Sequence, residues 1–327
     1  MARTDTTTLA DEYAALTEQC GIVDRSERGK LALTGSGAVE FLNGQITNEL
    51  VGLSPGEGCY AAFLTHKGKM LGDLRILAVA GMEQAQPAAD GTLSAAGVTL
   101  SEKPATEPAE LLLDTERGAL QALFDMIRRF KVGYDVELHK RTLESSLLSL
   151  IGPDAEATAA KAFSLEEAQL PASEHSHLLA RLGQTSSVRL TRTDLGFDLL
   201  FEAGALETVR GTLQAAGAVS VSEAAAEIVR VEHGRPRYGI DLDESTIPQE
   251  AGLNQRAVSF TKGCYVGQET VARLYYKGKP NRHLRGLRLS EPTEPGAPLT
   301  LGERSLGSLG SSVLSPRFGP IGLALVR

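Results

Sequence analysis

The chain has 327 residues, of which 42% are hydrophobic and 23% are charged, and its formal net charge is −8. This length allows two or three domains with a substantial core, and the composition is that of an ordinary globular protein. An acidic chain of this kind is a poor general binder of nucleic acid or of an anionic membrane surface.

The cysteine content indicates the redox compartment of the protein, and the lack of long apolar runs argues against a membrane protein. Cys20, Cys59 and Cys264 are too few and too scattered for a disulfide framework or a zinc-ligand spacing, which favours a reducing compartment. No run approaches the roughly 18 apolar residues that span a bilayer, and the N-terminus lacks the apolar core of a signal peptide. We therefore expect a soluble, cytoplasmic protein without membrane partners.

The first 80 residues alternate between short helices and strands. A helical pattern around residues 13–19 opens the chain, and Ser36 can cap a helix that buries Phe41 and Leu42. The predicted strands of this part cover residues 22–23, 31–33, 60–64 and 74–79. Residues 81–110, rich in Ala, Gly, Pro and Glu, predict a long and partly ordered insertion.

A strand–helix–strand unit follows the insertion and indicates an α+β layer. Asp114 or Thr115 can cap its helix, which covers residues 120–130. Residues 188–201 then alternate as a half-buried hairpin does, and two helices follow, at residues 206–216 and after Ser222.

Two histidines, His175 and His177, lie two residues apart in a polar segment. No carboxylate or thiol cluster stands beside them in the sequence, so a solvated loop is a better interpretation than a metal site. We predict no metal ligands in the chain.

The segment 262–269, KGCYVGQE, contains the strongest local signal. Gly263 and Gly267 bracket the thiol of Cys264, and glycine permits bends that other residues resist. The amine of Lys262 lies two residues before the thiol, and a nearby cation favours the reactive thiolate. A positioned thiol and a small buried hydrophobe in a glycine-rich turn are equally good interpretations of this spacing.

The C-terminal part contains a basic block and then many turn residues. The block has six cations and no carboxylate between residues 270 and 290: Arg273, Lys277, Lys279, Arg282, Arg285 and Arg288. Such a block can attract an anionic ligand or RNA, or it can be a solvated β-ribbon whose charges prevent edge aggregation. Residues 284–327 have short strands between Gly and Pro turns, which is typical of a small antiparallel barrel.

KGCYVGQE, together with the run from residue 21 to residue 50, resembles the YgfZ family. These are folate-binding proteins tied to iron–sulfur cluster assembly and repair, and they are relatives of the aminomethyltransferase (T-protein) of the glycine cleavage system. The resemblance covers nearly the whole chain apart from the first dozen residues and the 81–110 insertion. It implies an α+β fold of interleaved domains around a central folate-binding hole, with a small C-terminal antiparallel β-barrel.

The resemblance also implies domain limits. A first, discontinuous folate-binding domain would contain residues 1–50 and 145–245, and a second α+β domain would contain residues 51–144. Residues 246–283 would form a connection that carries the motif, and residues 284–327 would form the barrel.

The resemblance also implies which residues of this chain contact folate. Asp198 stands in Gly-Phe-Asp where aminomethyltransferases have Gly-Phe-Glu, whose Glu holds the pterin ring of tetrahydrofolate. A carboxylate can accept two parallel hydrogen bonds from such a ring, although Asp is one methylene shorter. Tyr60, Arg230 and Tyr238 are further candidate folate contacts, and Asp241 belongs to the same Tyr-Gly-x-Asp turn. The alternatives are an outward-facing polar strand residue at Asp198 and, at Arg230, an interaction with the C-terminal helix dipole on an exposed face.

One departure from the relatives bears on activity. Aminomethyltransferases carry two adjacent aspartates before the second strand of the first hairpin, and this chain has Gly72 and Asp73 there. Asp73 is therefore a weak candidate catalytic carboxylate, with a turn residue as the alternative.

Three functions follow from these observations. The first is a tetrahydrofolate-binding accessory protein that supports iron–sulfur assembly or repair, through client proteins such as tRNA-modifying iron–sulfur enzymes. Cys264 would be its functional thiol within the motif Lys262, Gly263, Tyr265, Gly267, Gln268 and Glu269. The second is a folate-dependent aminomethyltransferase, and the third is an RNA-modification helper that binds RNA through residues 273–288. We expect the first, without enzymatic turnover.

Overall fold

A computed structural model of the protein describes residues 8–80, 108–183 and 186–327. Most of the 81–110 insertion lies outside these residues. The helices are α1 (Leu9–Glu18), α2 (Ala38–Asn43), α3 (Leu120–Phe130), α4 (Ala155–Phe163), α5 (Leu206–Ala216), α6 (Glu223–Glu232), α7 (Asn254–Ala257) and α8 (Gln268–Lys277). The strands up to the middle of the chain are β1 (Gly21–Asp24), β2 (Gly29–Thr34), β3 (Gly58–Leu64), β4 (Met70–Val79), β5 (Glu110–Thr115), β6 (Glu137–Lys140) and β7 (Ser145–Ile151). The later strands are β8 (His177–Leu182), β9 (Ser186–Arg192), β10 (Gly196–Glu202), β11 (Val219–Ser220), β12 (His283–Arg288), β13 (Pro298–Leu301), β14 (Arg304–Ser315) and β15 (Gly319–Val326).

These strands form three sheets. A six-stranded sheet has the order β11–β1–β7–β10–β9–β8, and a five-stranded sheet has the order β3–β4–β5–β2–β6. The C-terminal sheet has the order β12–β15–β14–β13. All strand pairs are antiparallel except β1 with β11. The predicted α+β content and the C-terminal antiparallel sheet are therefore present.

Each of the two larger sheets buries one face against helices. Phe197 and Leu199 of β10 pack with Val209 and Leu213 of α5 in one core. Residues of β2, β4 and β5 pack with α2 and α3 in a second core. Because side chains alternate along a strand, the residues between these core positions point to the opposite face. Those opposite faces carry the polar residues that form the candidate site.

The C-terminal sheet rests on α6. Val231 of that helix packs against Ile321 and Leu323 of β15. The motif segment 262–269 runs into α8, and Tyr265 packs with Leu64 and Met70 at the end of the β3–β4 hairpin. In the part of the chain that the structure describes, no helix is long and apolar enough to cross a bilayer.

Two predicted helix caps are wrong. α2 has Gly37 at its N-cap, and Ser36 instead donates its hydroxyl to Asp135 at 2.7 Å. α3 has Ala119 at its N-cap, because Asp114 and Thr115 continue β5. A short polar residue before a helix fits a cap or another acceptor equally well, so the sequence alone cannot choose.

The observed strand pairing disagrees with one of the predicted domain limits. β2 and α2 lie in residues 1–50, which were predicted to belong with 145–245, but β2 pairs with β5 and β6 in the five-stranded sheet. A four-residue turn between β1 and β2 is enough for the chain to change sheets, and no compositional break marks the point. The other predicted limits remain predictions.

Candidate functional site

A cavity of about 220 Å³ lies between the six-stranded and five-stranded sheets. It is lined by the residues predicted to contact folate and by the candidate catalytic carboxylate: Tyr60, Asp73, Asp198, Arg230 and Tyr238. A larger cavity of about 700 Å³ between the same sheets has none of these residues in its wall. The smaller cavity is the candidate site, because convergent polar groups mark a binding site better than size alone.

Asp198 reaches the cavity from β10. Its Oδ1 accepts a hydrogen bond from Ser149 Oγ at 2.5 Å, and its Oδ2 accepts one from Arg75 Nη1 at 2.6 Å. Burial acts to raise the pKa of Asp198, but Arg75, Arg25 and the Ser149 hydroxyl outweigh it and hold the pKa below its usual value. Asp198 is therefore a buried, ionised acceptor rather than an outward strand residue.

Arg75 of β4 is a site residue that the sequence reasoning missed. It is 8% exposed, and it bridges the two sheets because its Nη2 donates to Asp114 Oδ2 at 2.7 Å while its Nη1 donates to Asp198. Arg28 holds Asp114 from the other side at 2.8 Å. The available signal was an arginine two residues after Asp73 in a ten-residue strand whose other side chains are mostly apolar.

Asp73 and Tyr60 form a second polar group in the cavity. Tyr60 Oη donates to Asp73 Oδ2 at 2.7 Å, and Asp73 is 5% exposed. Burial raises the pKa of Asp73 to about 6, against the lowering effect of the Tyr60 hydrogen bond, and the carboxylates of Glu116 and Asp114 add to the rise. A carboxyl with a pKa near neutrality can take up or release a proton, so this pair has the chemistry of a general acid or base.

The prediction that His175 and His177 lie in a solvated loop is wrong. His177 is buried at the start of β8, and His175 stacks on Tyr60 with ring centroids 6.2 Å apart. Burial lowers the pKa of His175, so its ring is neutral in the cavity wall. His175 also has a positive φ of 70°, a strained conformation for a non-glycine residue. Its contact is with a distant aromatic residue, which local polarity could not reveal.

No group of three or more His, Cys, Asp or Glu among the described residues is placed to hold a metal ion.

Arg230 and Tyr238 line the cavity from the side of α6. All five N–H groups of Arg230 are donated to protein acceptors, on Glu227, Asp241, Arg235 and Ser311. Arg230 is in the last turn of α6, but at 9% exposure it does not lie on an exposed face, so the predicted alternative is wrong in that respect. Asp241 is bound to Arg230 and to the β14 backbone through Ser311 N at 2.7 Å. These contacts make Arg230 and Asp241 a support of the cavity wall.

The motif 262–269 lies outside this cavity. Cys264 is exposed, which rules out the buried-hydrophobe interpretation of its thiol. Lys262 is buried, and its Nζ donates to the carbonyl oxygens of Asn43, Ile46 and Asn48 at 2.6–3.0 Å. These carbonyls, and not the Cys264 sulfur, are its acceptors, so any electrostatic effect on the thiol acts without direct contact. Burial lowers the pKa of Lys262 to about 8.

The remaining motif residues shape the start of α8. Gly267 precedes the helix with a positive φ of 83°, and a Cβ there would lie 2.5 Å from Thr65 O. Gln268 donates to Gly263 O at 3.4 Å, and Glu269 lies in the first turn, where a negative charge suits the helix dipole. The motif thus fixes an exposed thiol at the tip of the β3–β4 hairpin.

The basic block is spread over a helix and a strand. Arg273 and Lys277 belong to α8, and Arg285 and Arg288 belong to the edge strand β12. Arg282 is held by Glu250 at 2.9 Å. The predicted alternative of a continuous β-ribbon is therefore wrong for the first half of the block. RNA binding by this block remains a prediction.

Comparisons with known proteins agree with this architecture. The model of the GCVT N-terminal domain matches residues 2–85 and 105–262. A chloroplastic protein of Arabidopsis thaliana, provisionally named a transferase, is 28% identical over 292 residues, which are 89% of this chain and 61% of the relative. The chain thus spans less than two thirds of that relative's length. An aminomethyltransferase of Streptomyces coelicolor is 25% identical over 337 residues, covering 97% of this chain and 80% of that protein.

A solved structure gives the same fold. The crystal structure of the glycine cleavage system aminomethyltransferase T from Bartonella henselae superimposes with a TM-score of 0.79. The match covers 98% of this chain and 82% of that one at 22% identity. The predicted aminomethyltransferase-like α+β fold is confirmed.

Proposed function

Because the chain belongs to the GCVT N-terminal domain family, we propose that it is a tetrahydrofolate-binding protein of the YgfZ type that supports iron–sulfur cluster assembly or repair. The observation that carries the folate part is the convergence of Asp198, Asp73 and Tyr60 on one cavity between the sheets. The observation that carries the accessory role is the exposed Cys264 in its KGCYVGQE segment.

The donors and acceptors of the cavity fit a pterin ring. Asp198 is an ionised acceptor for ring N–H and amino groups, and the guanidinium of Arg75 beside it is a donor. The cavity volume of about 220 Å³ is below the roughly 300–1,000 Å³ of sites that enclose a whole drug-sized ligand. The cavity would therefore hold the fused ring, and the rest of the folate would extend from it.

A calorimetric titration with tetrahydrofolate tests the ligand and the residue together. We expect saturable binding by the wild type and a loss of about tenfold or more in Asp198→Ala, because a hydrogen bond to a charged group contributes about 1.5–3 kcal/mol. Asp135→Ala, which removes an exposed carboxylate bound to Ser36, is the control and should bind normally. No binding by the wild type would refute the folate proposal, and unchanged binding in Asp198→Ala would refute the residue assignment.

The thiol is tested in a strain that lacks this protein. Cys264→Ser should fail to restore the activity of iron–sulfur enzymes, because a hydroxyl cannot replace a thiolate as nucleophile or ligand. Cys59→Ser, at a half-buried thiol in β3, is the control that should restore it. Full restoration by Cys264→Ser would remove the thiol from the proposal.

An aminomethyltransferase is the second candidate, and Asp73 favours it. A buried carboxyl with a pKa of about 6 is poised for proton transfer in the cavity, and several relatives carry the name aminomethyltransferase. Against it stands Gly72, where a Cβ would lie 2.6 Å from Ala119 Cβ and from the Phe63 ring. The second aspartate of the aminomethyltransferase pair would not fit there without repacking. Formation of methylene-tetrahydrofolate from an aminomethyl-loaded lipoyl protein would decide for the enzyme.

A further inference from the structure

The cavity wall contains nitrogen atoms that the protein itself does not satisfy. Arg75 Nε, His175 Nδ1 and Arg256 Nε are buried and have no hydrogen-bond partner among the described residues. All three side chains line the same cavity. A buried polar atom without a partner is unfavourable. Five further atoms of this kind lie on other described residues, but the three in this wall belong to one cavity, where a single ligand can satisfy them together.

Arg75 is the most informative of the three because of its neighbour. Its Nη1 donates to the Asp198 carboxylate at 2.6 Å, so an acceptor and a guanidinium with unused N–H groups stand side by side. Hydrogen bonds to Asp198 and Asp114 use two of the five N–H groups of Arg75. A ligand ring matches this pair if it donates an N–H to Asp198 and, at the adjacent position, accepts a hydrogen bond from Arg75. A cyclic amide has such an edge.

The guanidinium is also fixed in orientation. Asp114 holds its second terminal nitrogen at 2.7 Å, and Arg28 holds Asp114 in turn at 2.8 Å. A planar fork held at both ends cannot turn to suit a different ring edge, whereas a lysine ammonium would lack this fixed geometry.

We propose that Arg75 is a specificity-determining residue that recognises the ring carbonyl next to the N–H held by Asp198. The cavity therefore selects a 2-amino-4-oxo ring over its 2,4-diamino counterpart, in which the carbonyl acceptor is replaced by an amino donor. This selection rests on the proposed folate function and identifies the edge of the ring that the site recognises.

Calorimetric titration with two matched ligands tests the selection. The probes are tetrahydrofolate and 4-amino-4-deoxytetrahydrofolate, which differ at position 4 of the ring. The wild type should prefer the 4-oxo ligand by about tenfold or more, because a site built for one hydrogen-bonding group leaves its own polar atoms unpaired with the other. In Arg75→Lys, which keeps the charge but not the planar fork, this preference should fall to about threefold or less.

Arg189→Lys is the matched control. Arg189 lies on β9 in the wall of the larger cavity, so the same substitution there should leave the preference unchanged. A wild type that binds both ligands equally would overturn the inference without any variant and would leave the folate proposal standing. A preference that survives in Arg75→Lys would also overturn it. A wild type that binds neither ligand would overturn the folate proposal and, with it, this selection.

Discussion

At the scale of single residues, two carboxylates of the cavity have pKa values shifted in opposite directions, because their neighbours differ. Asp198 accepts hydrogen bonds from the Arg75 guanidinium and the Ser149 hydroxyl and stays ionised. Asp73 accepts a hydrogen bond from a tyrosine and lies near other carboxylates. Asp73 is 5% exposed and the Asp198 side chain is 15% exposed. Burial acts to raise the pKa of both, and the cationic neighbours of Asp198 account for the opposite outcome. One fold thus provides a fixed negative acceptor and a group that can exchange a proton.

The raised pKa of Asp73 has a defined effect on stability. Between its ordinary pKa of 3.8 and the folded value of about 6, the folded chain holds a proton that the unfolded chain has lost. Stability from this group therefore falls as the pH rises through that window.

Replacing Asp73 by Asn removes this pH-dependent cost. We expect Asp73→Asn to gain stability relative to wild type, by about 2 kcal/mol more at pH 7.5 than at pH 4.5, measured by urea unfolding at both values. Asp135→Asn is the control, because the Ser36 hydrogen bonds lower the pKa of this exposed carboxyl and it should show no such gain. A gain that is equal at both pH values would contradict the assignment.

At the scale of elements, the β3–β4 hairpin connects the cavity to the motif. Tyr60 and Asp73 lie on its strands, and its turn packs against the segment that leads into α8. The contact is tight: a Cβ on Gly267 would meet Thr65 O, and a Cβ on Gly68 would lie 2.7 Å from Thr270 Cβ. Both glycines have positive φ, so both backbone shape and space require them.

Gly267→Ala should therefore be costly. We expect a loss of about 2–4 kcal/mol in the free energy of unfolding by urea, since a strained φ and a backbone clash are combined. Gly263→Ala, four residues earlier, has open space and no positive φ, and should change stability by less than about 1 kcal/mol. Equal losses in the two variants would show that the hairpin contact does not hold the motif.

Hydrophobic periodicity predicted most of these elements, because a strand or helix is encoded within a few consecutive residues. The β9–β10 hairpin and the Ser222-capped α6 lie where their patterns indicated. The polar contacts were not predictable, because they join segments that are far apart in the sequence. Examples are the pairs Arg75–Asp198 and His175–Tyr60. Only the folded topology brings such pairs together. The resemblance to a known family placed the cavity carboxylates, which periodicity alone would have left on solvated faces.

At the scale of the whole molecule, Arg230 joins the C-terminal sheet to the rest of the protein. It connects Glu227 of α6, the Asp241 turn and Ser311 of β14. The Asp241 side chain is fully buried, and its carboxylate oxygens accept hydrogen bonds from this guanidinium and from the backbone N–H groups of Ser311 and Arg237. Removing one partner of a buried ion pair is strongly destabilising.

Arg230→Lys keeps the charge but cannot reach all of these acceptors. We expect a loss of about 3 kcal/mol in stability and faster hydrogen exchange of the β14 amides around Ser311, measured by mass spectrometry. Arg235→Lys affects a half-exposed pair with Asp194 and should cost less than about 1 kcal/mol. Unchanged exchange in β14 would mean that other contacts, such as the packing of Val231 against β15, hold the sheet without Arg230.

The anchoring of the motif separates Cys264 from the cavity. The hairpin turn at Gly68 is five residues along the chain from Asp73, on the order of 15 Å at about 3.3 Å per extended residue. Tyr265 and Gly267 pack the thiol segment against that turn, and Lys262 ties it to residues 43–48. Cys264 is not in the wall of the cavity. A ring bound against Asp73 therefore does not touch the thiol. The hairpin presents two separate places on the protein, a cavity on its strands and an exposed sulfur at its turn.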